Sequence, residues 1–138
     1  MSLEKLISEP AAGAATNTLI SVIDDDRSMG RMLARIIGAA GLQVAIFTSA
    51  EEFLDSDRLN DSACLVLDVD LPGMSGLELQ QQLKDTGQDI PIIFISGQAS
   101  EQTRDRALKA GAVGFFDKPF RIDLLLNTIQ SVDTLTLN

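Results

Sequence analysis

A chain of 138 residues with 45% apolar and 22% charged residues is long enough to bury one core and too apolar to stay unfolded. Its net charge of −9 would repel phosphate backbones, which excludes nucleic acid as a ligand of this domain, and no apolar run is long enough to cross a bilayer. Its one cysteine, Cys64, excludes an internal disulfide, and the lack of histidine excludes imidazole acid–base chemistry, imidazole metal ligation and histidine phosphorylation within the chain.

Residues 1–17 (MSLEKLISEPAAGAATN) read as a flexible N-terminal extension or cloning tail, with a short helix over Leu3–Ser8 as their one regular element. No basic region followed by an apolar one stands there, so a cytoplasmic location is expected. The folded domain is expected over residues 18–135.

The first predicted strand, Leu19–Ile23, ends in three acids, Asp24, Asp25 and Asp26. Met29, Met32, Leu33, Ile36, Ile37 and Ala40 then recur at helical spacing as one apolar stripe, stopped by Gly41. Asp26 is expected to cap that helix. Leu42–Phe47 is the second strand, and Ser49-Ala50-Glu51-Glu52 reads as a capping box opening a short helix that buries Phe53 and Leu54.

Cys64–Leu67 is a short apolar run, the signature of a strand buried on both faces, and it stops at Asp68. Asp70, Leu71-Pro72-Gly73 and a second capping box, Ser75 to Glu78, follow, with Leu79 and Leu83 one turn apart on the helix. Pro91 precedes a fourth strand, Ile92–Ile95, which ends at Ser96-Gly97. Ser100 caps a fourth helix through Ala110, and Val113–Phe116 is a fifth strand ending at Asp117-Lys118-Pro119. A last helix carries Leu125, Ile129 and Val132 on one face.

Five alternating strands and helices predict a three-layer α/β domain: a five-stranded parallel sheet, covered on both faces, with the flavodoxin-like order 2-1-3-4-5. Its crevice lies between the ends of the first and third strands. Asp24, Asp25, Asp68, Ser96 and Lys118 then share one sheet edge. Carboxylates crowded together repel, and Mg²⁺ suits such a site with one or two carboxylates, waters and a phosphoryl oxygen. A carboxylate can also attack phosphorus to give an aspartyl phosphate, with a lysine ammonium and a small hydroxyl meeting the phosphoryl oxygens.

The segments VIDDD (22–26), LVLDVDLPGMSG (65–76), FISG (94–97) and GFFDKPF (114–120), in this order and spacing, resemble the response-regulator receiver domain of two-component signal transduction. The resemblance makes Asp68 the phosphoacceptor. It makes Asp25 a direct Mg²⁺ ligand, Asp24 a ligand mainly through a metal-bound water, and the backbone carbonyl of Asp70 the third protein ligand. Ser96 matches the switch hydroxyl, Phe115 the switch aromatic, Lys118 the phosphate-binding lysine, and Lys118-Pro119 a cis peptide bond.

It further implies a phosphoryl donor in another chain, a sensor histidine kinase or a histidine phosphotransfer protein of a phosphorelay. The receiver would then control an output domain or partner through the face of the fourth helix, fifth strand and last helix. GAVGFFDKPF is similar to receivers attached to transcription factors, which points to transcription regulation, and a homodimer through the same face is compatible with it. Such a domain catalyses only its own phosphorylation and dephosphorylation. Two alternatives compete. Asp68-Val69-Asp70 resembles the nucleophile motif of haloacid dehalogenase-like phosphatases, although there the motif lies on the first strand; and a receiver-like module without phosphorylation would act by binding alone.

Overall fold

The computed structural model describes residues 18–137, with side chains through Val132. The expected N-terminal extension and its short helix lie outside the described residues. In chain order the elements are β1 (Leu19–Ile23), α1 (Arg27–Ala39), β2 (Gln43–Phe47), α2 (Ala50–Leu54), β3 (Ser62–Asp68), α3 (Gly76–Asp85), β4 (Ile92–Ser96), α4 (Glu101–Lys109), β5 (Gly114–Asp117) and α5 (Ile122–Leu137).

The strands form one parallel sheet in the order β2-β1-β3-β4-β5, as the βα alternation predicts. Alternate residues of the central strands supply two separate cores. Ile20, Val22, Cys64, Val66, Ile93 and Ile95 face Leu33 and Ile37 of α1 and Leu125, Ile129 and Val132 of α5. Ile23, Leu65, Leu67, Ile92 and Phe94 face Phe53 of α2, Leu79 and Leu83 of α3 and Ala107 of α4. Each fully buried Leu, Ile or Phe contributes roughly 1.5–3 kcal/mol of apolar burial, so the sheet is fixed from both sides. Cys64 is buried in the first of these cores, where burial pushes its thiol pKa up to about 12; it packs as a small apolar side chain.

Several boundaries differ from the sequence expectation. The buried line of α1 runs through Gly30, Leu33 and Ile37, which leaves Met32 at the rim and exposed. Leu42 is buried but precedes β2. Val113 donates to the carbonyl of Ile92 yet lies exposed before β5, because the chain is still leaving the turn at Gly111. Ser49 caps α2 by accepting from the Glu52 amide, but the Glu52 carboxylate turns back to the Thr48 amide and hydroxyl, so the reciprocal half of the box is missing. The box at Ser75 and Glu78 is complete. Among the described residues no helix is long and apolar enough to cross a membrane.

Candidate functional site

The register of the sheet sets the site. Ile23 pairs with Leu67, so the next residues, Asp24 and Asp68, leave β1 and β3 at the same level. Asp68 pairs with Ile95, which puts Ser96 one step further along β4; Ser96 pairs with Asp117, which puts Lys118 one step beyond that. β1 and β3 are neighbours whose connections run to opposite faces of the sheet, and such a switch point opens a crevice at the carboxyl edge.

Lys118 closes the site from the β5 side. Its Nζ donates to Asp24 Oδ2 at 2.9 Å and to Asp68 Oδ2 at 3.2 Å, one ammonium between two buried carboxylates. Asp24 Oδ1 accepts from the Asp26 amide at 2.9 Å, and Asp68 Oδ1 accepts from the Asp70 amide at 3.0 Å. Asp26 itself caps α1, accepting from the amides of Ser28 and Met29, as expected. Asp25 is exposed beside them. One carboxylate oxygen from each of Asp24, Asp25 and Asp68 lies within 4.8 Å of the others. Three hard oxygen donors so close, with a single ammonium to balance them, fit a small divalent cation such as Mg²⁺.

The electrostatics follow from burial. Desolvation raises the Asp68 pKa from 3.8 to about 6, and the Asp24 charge adds to this, against the lowering effects of the Asp70 amide and Lys118. Burial alone would lower the Lys118 pKa, but its hydrogen bond to Asp24 and the charges of Asp68 and Asp24 outweigh that, and the net shift is upward. Between 3.8 and about 6 the folded chain therefore binds a proton at Asp68 that the unfolded chain has released, so this group adds stability as pH falls through that window. In chelating buffer, the melting temperature of the wild type relative to Asp68→Asn is expected to rise as pH is lowered from about 7.5 to about 5; a constant difference would show that Asp68 titrates normally.

Ser96 is fully buried, and its hydroxyl has no hydrogen-bond partner among the described residues. An unpaired buried hydroxyl is unfavourable unless something else meets it, and a phosphoryl oxygen at Asp68 is a fitting acceptor. On β5, Phe115 is half-buried, its ring 5.9 Å from that of Phe94. Arg104 of α4 covers the outer side, with its guanidinium carbon 4.7 Å from the ring centre, and pairs with Asp117 at 2.7 Å. Asp117 is exposed, yet it is tied to α4. The Lys118-Pro119 bond is cis.

Other contacts escape sequence reasoning. Gln80 of α3 is buried and donates to the carbonyl of Ala107 in α4 at 3.0 Å. Glu51 of α2 accepts from the Met74 amide at 2.8 Å, reaching the loop that follows β3. Neither residue interrupts a helical pattern, so nothing in the spacing marks it.

With the geometry in view, the likeness to known proteins is specific. A family model described as response regulator receiver domain matches residues 20–130. The response regulator protein TodT of Pseudomonas putida is 45% identical over 114 residues, covering 83% of this chain and 50% of that protein. Nodulation protein W of Bradyrhizobium diazoefficiens is 45% identical over 116 residues, covering 84% of this chain and 51% of that protein. Among solved structures, the response regulator StyR matches with a TM-score of 0.80 at 40% identity, over 86% of this chain and 60% of that one. FixJ-N matches with a TM-score of 0.75 at 33% identity, over 85% of this chain and 94% of that one. The chain spans about half the length of the curated relatives it matches.

Proposed function

The chain belongs to the response regulator receiver domain family, and on that premise we propose that it accepts a phosphoryl group on Asp68 from a phosphohistidine of another chain. The observation that carries this reading is the Lys118 ammonium held between the buried carboxylates of Asp24 and Asp68, with Asp25 alongside. An Asp68 oxygen attacks phosphorus, the new O–P bond forms as the N–P bond breaks, and the imidazole of the donor leaves. No histidine stands in this sequence, so the donor imidazole lies outside it, on a sensor kinase or a phosphotransfer protein.

Asp24, Asp25, Asp68 and the Asp70 carbonyl would hold Mg²⁺, which when bound neutralises charge on the phosphoryl oxygens. Lys118, beside Asp68, would meet a second phosphoryl oxygen, and the unpartnered Ser96 hydroxyl a third. When Ser96 moves to do so, the space it leaves can be taken by Phe115, on the neighbouring strand, and the surface of α4, β5 and α5 changes. A shift from 1:99 to 99:1 between two such states takes about 5.5 kcal/mol of differential stabilisation. The receiver acts as a regulatory domain rather than a turnover enzyme, and the changed surface controls an output domain or partner, with transcription as the output class named for relatives such as FixJ. The same α4–β5–α5 face would serve a homodimer. The domain spans residues 18–135 and works in the cytoplasm.

Asp68 ends the third strand of the sheet and Asp70 follows two residues on, whereas the dehalogenase-like motif lies on the first strand, which counts against the phosphatase reading. A receiver-like module that only binds is separated by beryllofluoride, a mimic of the phosphoryl group. Addition of beryllofluoride is expected to shift the amide resonances of Ser96, Phe115 and Lys118 in the presence of Mg²⁺ and not in chelator. A spectrum unchanged in both would leave binding alone.

A further inference from the structure

The loop between β3 and α3 carries two things the site needs: the Asp70 amide, which holds Asp68 Oδ1, and, on the receiver reading on which this inference rests, the Asp70 carbonyl that faces the metal. Its base is closed by the Gly76 amide donating to the Val69 carbonyl at 2.9 Å, with Gly76 packed so tightly on the Asp68 carbonyl that no side chain fits there. Leu71 is buried in the core on one side. The tip, Pro72-Gly73, is exposed and turns through Gly73 at φ +76°.

Glu51 grips that tip from α2. Its Oε2 accepts from the Met74 amide at 2.8 Å, and a Cβ on Gly73 would lie 2.7 Å from the same oxygen. A side chain at position 73 would therefore displace the carboxylate, and Gly73 both makes the turn and admits Glu51. Glu51 touches none of Asp24, Asp25, Asp68 or Lys118 among the bonds described. Its influence passes through the loop backbone, whose other end orients Asp68.

We propose that Glu51 is a positioning residue for the metal-binding and phosphoacceptor site: by tying the loop tip to α2, it holds the Asp70 peptide in the orientation that serves Asp68 and the cation. Groups bonded directly to a metal ligand typically alter metal affinity roughly 10- to 100-fold when removed, and Glu51, which acts one step further out through the loop, is expected at the lower end of that range. The tie requires an acceptor oxygen at the right reach and not a charge, which makes two conservative variants decisive. Glu51→Gln keeps the reach and an amide oxygen but loses the charge. Glu51→Asp keeps the charge but is one methylene too short for Met74.

Mg²⁺ affinity of the full chain, measured by isothermal titration calorimetry, is expected to be within about twofold of wild type for Glu51→Gln and weakened roughly 10-fold for Glu51→Asp. Amide hydrogen exchange at Met74 should rise in Glu51→Asp alone. If Glu51→Asp binds Mg²⁺ as well as wild type, the reach to Met74 does not matter; if Glu51→Gln is weakened as much as Glu51→Asp, the acceptor oxygen alone is not enough; either result overturns the proposal. If wild type itself gives no Mg²⁺ binding, the receiver reading fails and takes this inference with it, a result distinct from either of the others.

Discussion

Asp68→Asn protein is expected to take up no phosphoryl group from acetyl phosphate under conditions where wild type gains one, as read by intact mass. Three carboxylates share the site, and their surroundings separate them. Asp24 is fully buried, with one oxygen 2.9 Å from the Asp26 amide and the other 2.9 Å from Lys118, so none of its side chain is open to an incoming phosphorus. Asp25 is exposed, and the Lys118 ammonium goes to its two neighbours instead. Asp68 is gripped at each oxygen by a single donor, at 3.0 and 3.2 Å, and sits beside the same ammonium a phosphoryl oxygen would need.

An amide is a poor nucleophile in the same place, and even a misplacement of 1 Å costs about 100-fold, so the expected loss is at least of that order. Misfolding is a weak alternative explanation, because burial already disfavours the ionised Asp68 and a neutral isostere removes that penalty. The variant should melt no lower than wild type at about pH 7.5 in chelator. A stable Asp68→Asn protein that still gains the mass of a phosphoryl group at another residue would reject Asp68 as the acceptor.

Much of this was open to reading from residues alone, for physical reasons that differ by element. β1, β3 and β4 are each buried on both faces, so their apolar runs stand out and each ends on its candidate site residue: Asp24 just past β1, Asp68 and Ser96 at the last positions of β3 and β4. β2 lies at the sheet edge and is half-exposed, and its start is blurred by Leu42, which is buried without belonging to the strand. Val113 has strand-forming chemistry but sits in a bend, since the turn at Gly111 decides where β5 begins. Met32 fits the apolar period of α1 but falls outside the line through Leu33 and Ile37 that meets the sheet. Periodicity gives a face and not its width.

The site divides in the same way. Asp24, Asp68, Ser96 and Lys118 are found because each ends a strand or follows one directly, and topology carries them to one edge. Glu51 and Arg104 stand within helices, and what matters about them is a partner 23 or 13 residues away. Glu51 in particular falls inside Ser49-Ala50-Glu51-Glu52, where a capping box already accounts for an acid. Local pattern satisfies the reader before the long-range contact is visible.

Lys118→Met is expected to separate two duties that the wild-type lysine combines. Its ammonium balances Asp24 and Asp68 in the absence of a cation, and its side chain is only 20% exposed. Removing it leaves two buried carboxylates holding one backbone amide each, and an unmet buried acceptor costs roughly 1–3 kcal/mol. The lower part of that range is expected, because Asp68 already sits at a pKa of about 6 and can take a proton as its neighbour cation is lost. In chelator, Lys118→Met should therefore melt below wild type at about pH 7.5, and the deficit should shrink as pH falls toward 5, where protonation replaces the missing ammonium.

Mg²⁺ bound only to the folded site would restore much of the melting temperature by mass action. Phosphoryl uptake should not recover with it. A donor aimed at developing negative charge contributes about 100- to 1,000-fold in rate, and a thioether supplies none. Uptake from acetyl phosphate at saturating Mg²⁺ is thus expected to stay roughly 100-fold slow in a protein whose stability is normal. If rate and stability return together on adding Mg²⁺, Lys118 serves only to balance charge in the resting fold and has no part in meeting the phosphoryl group.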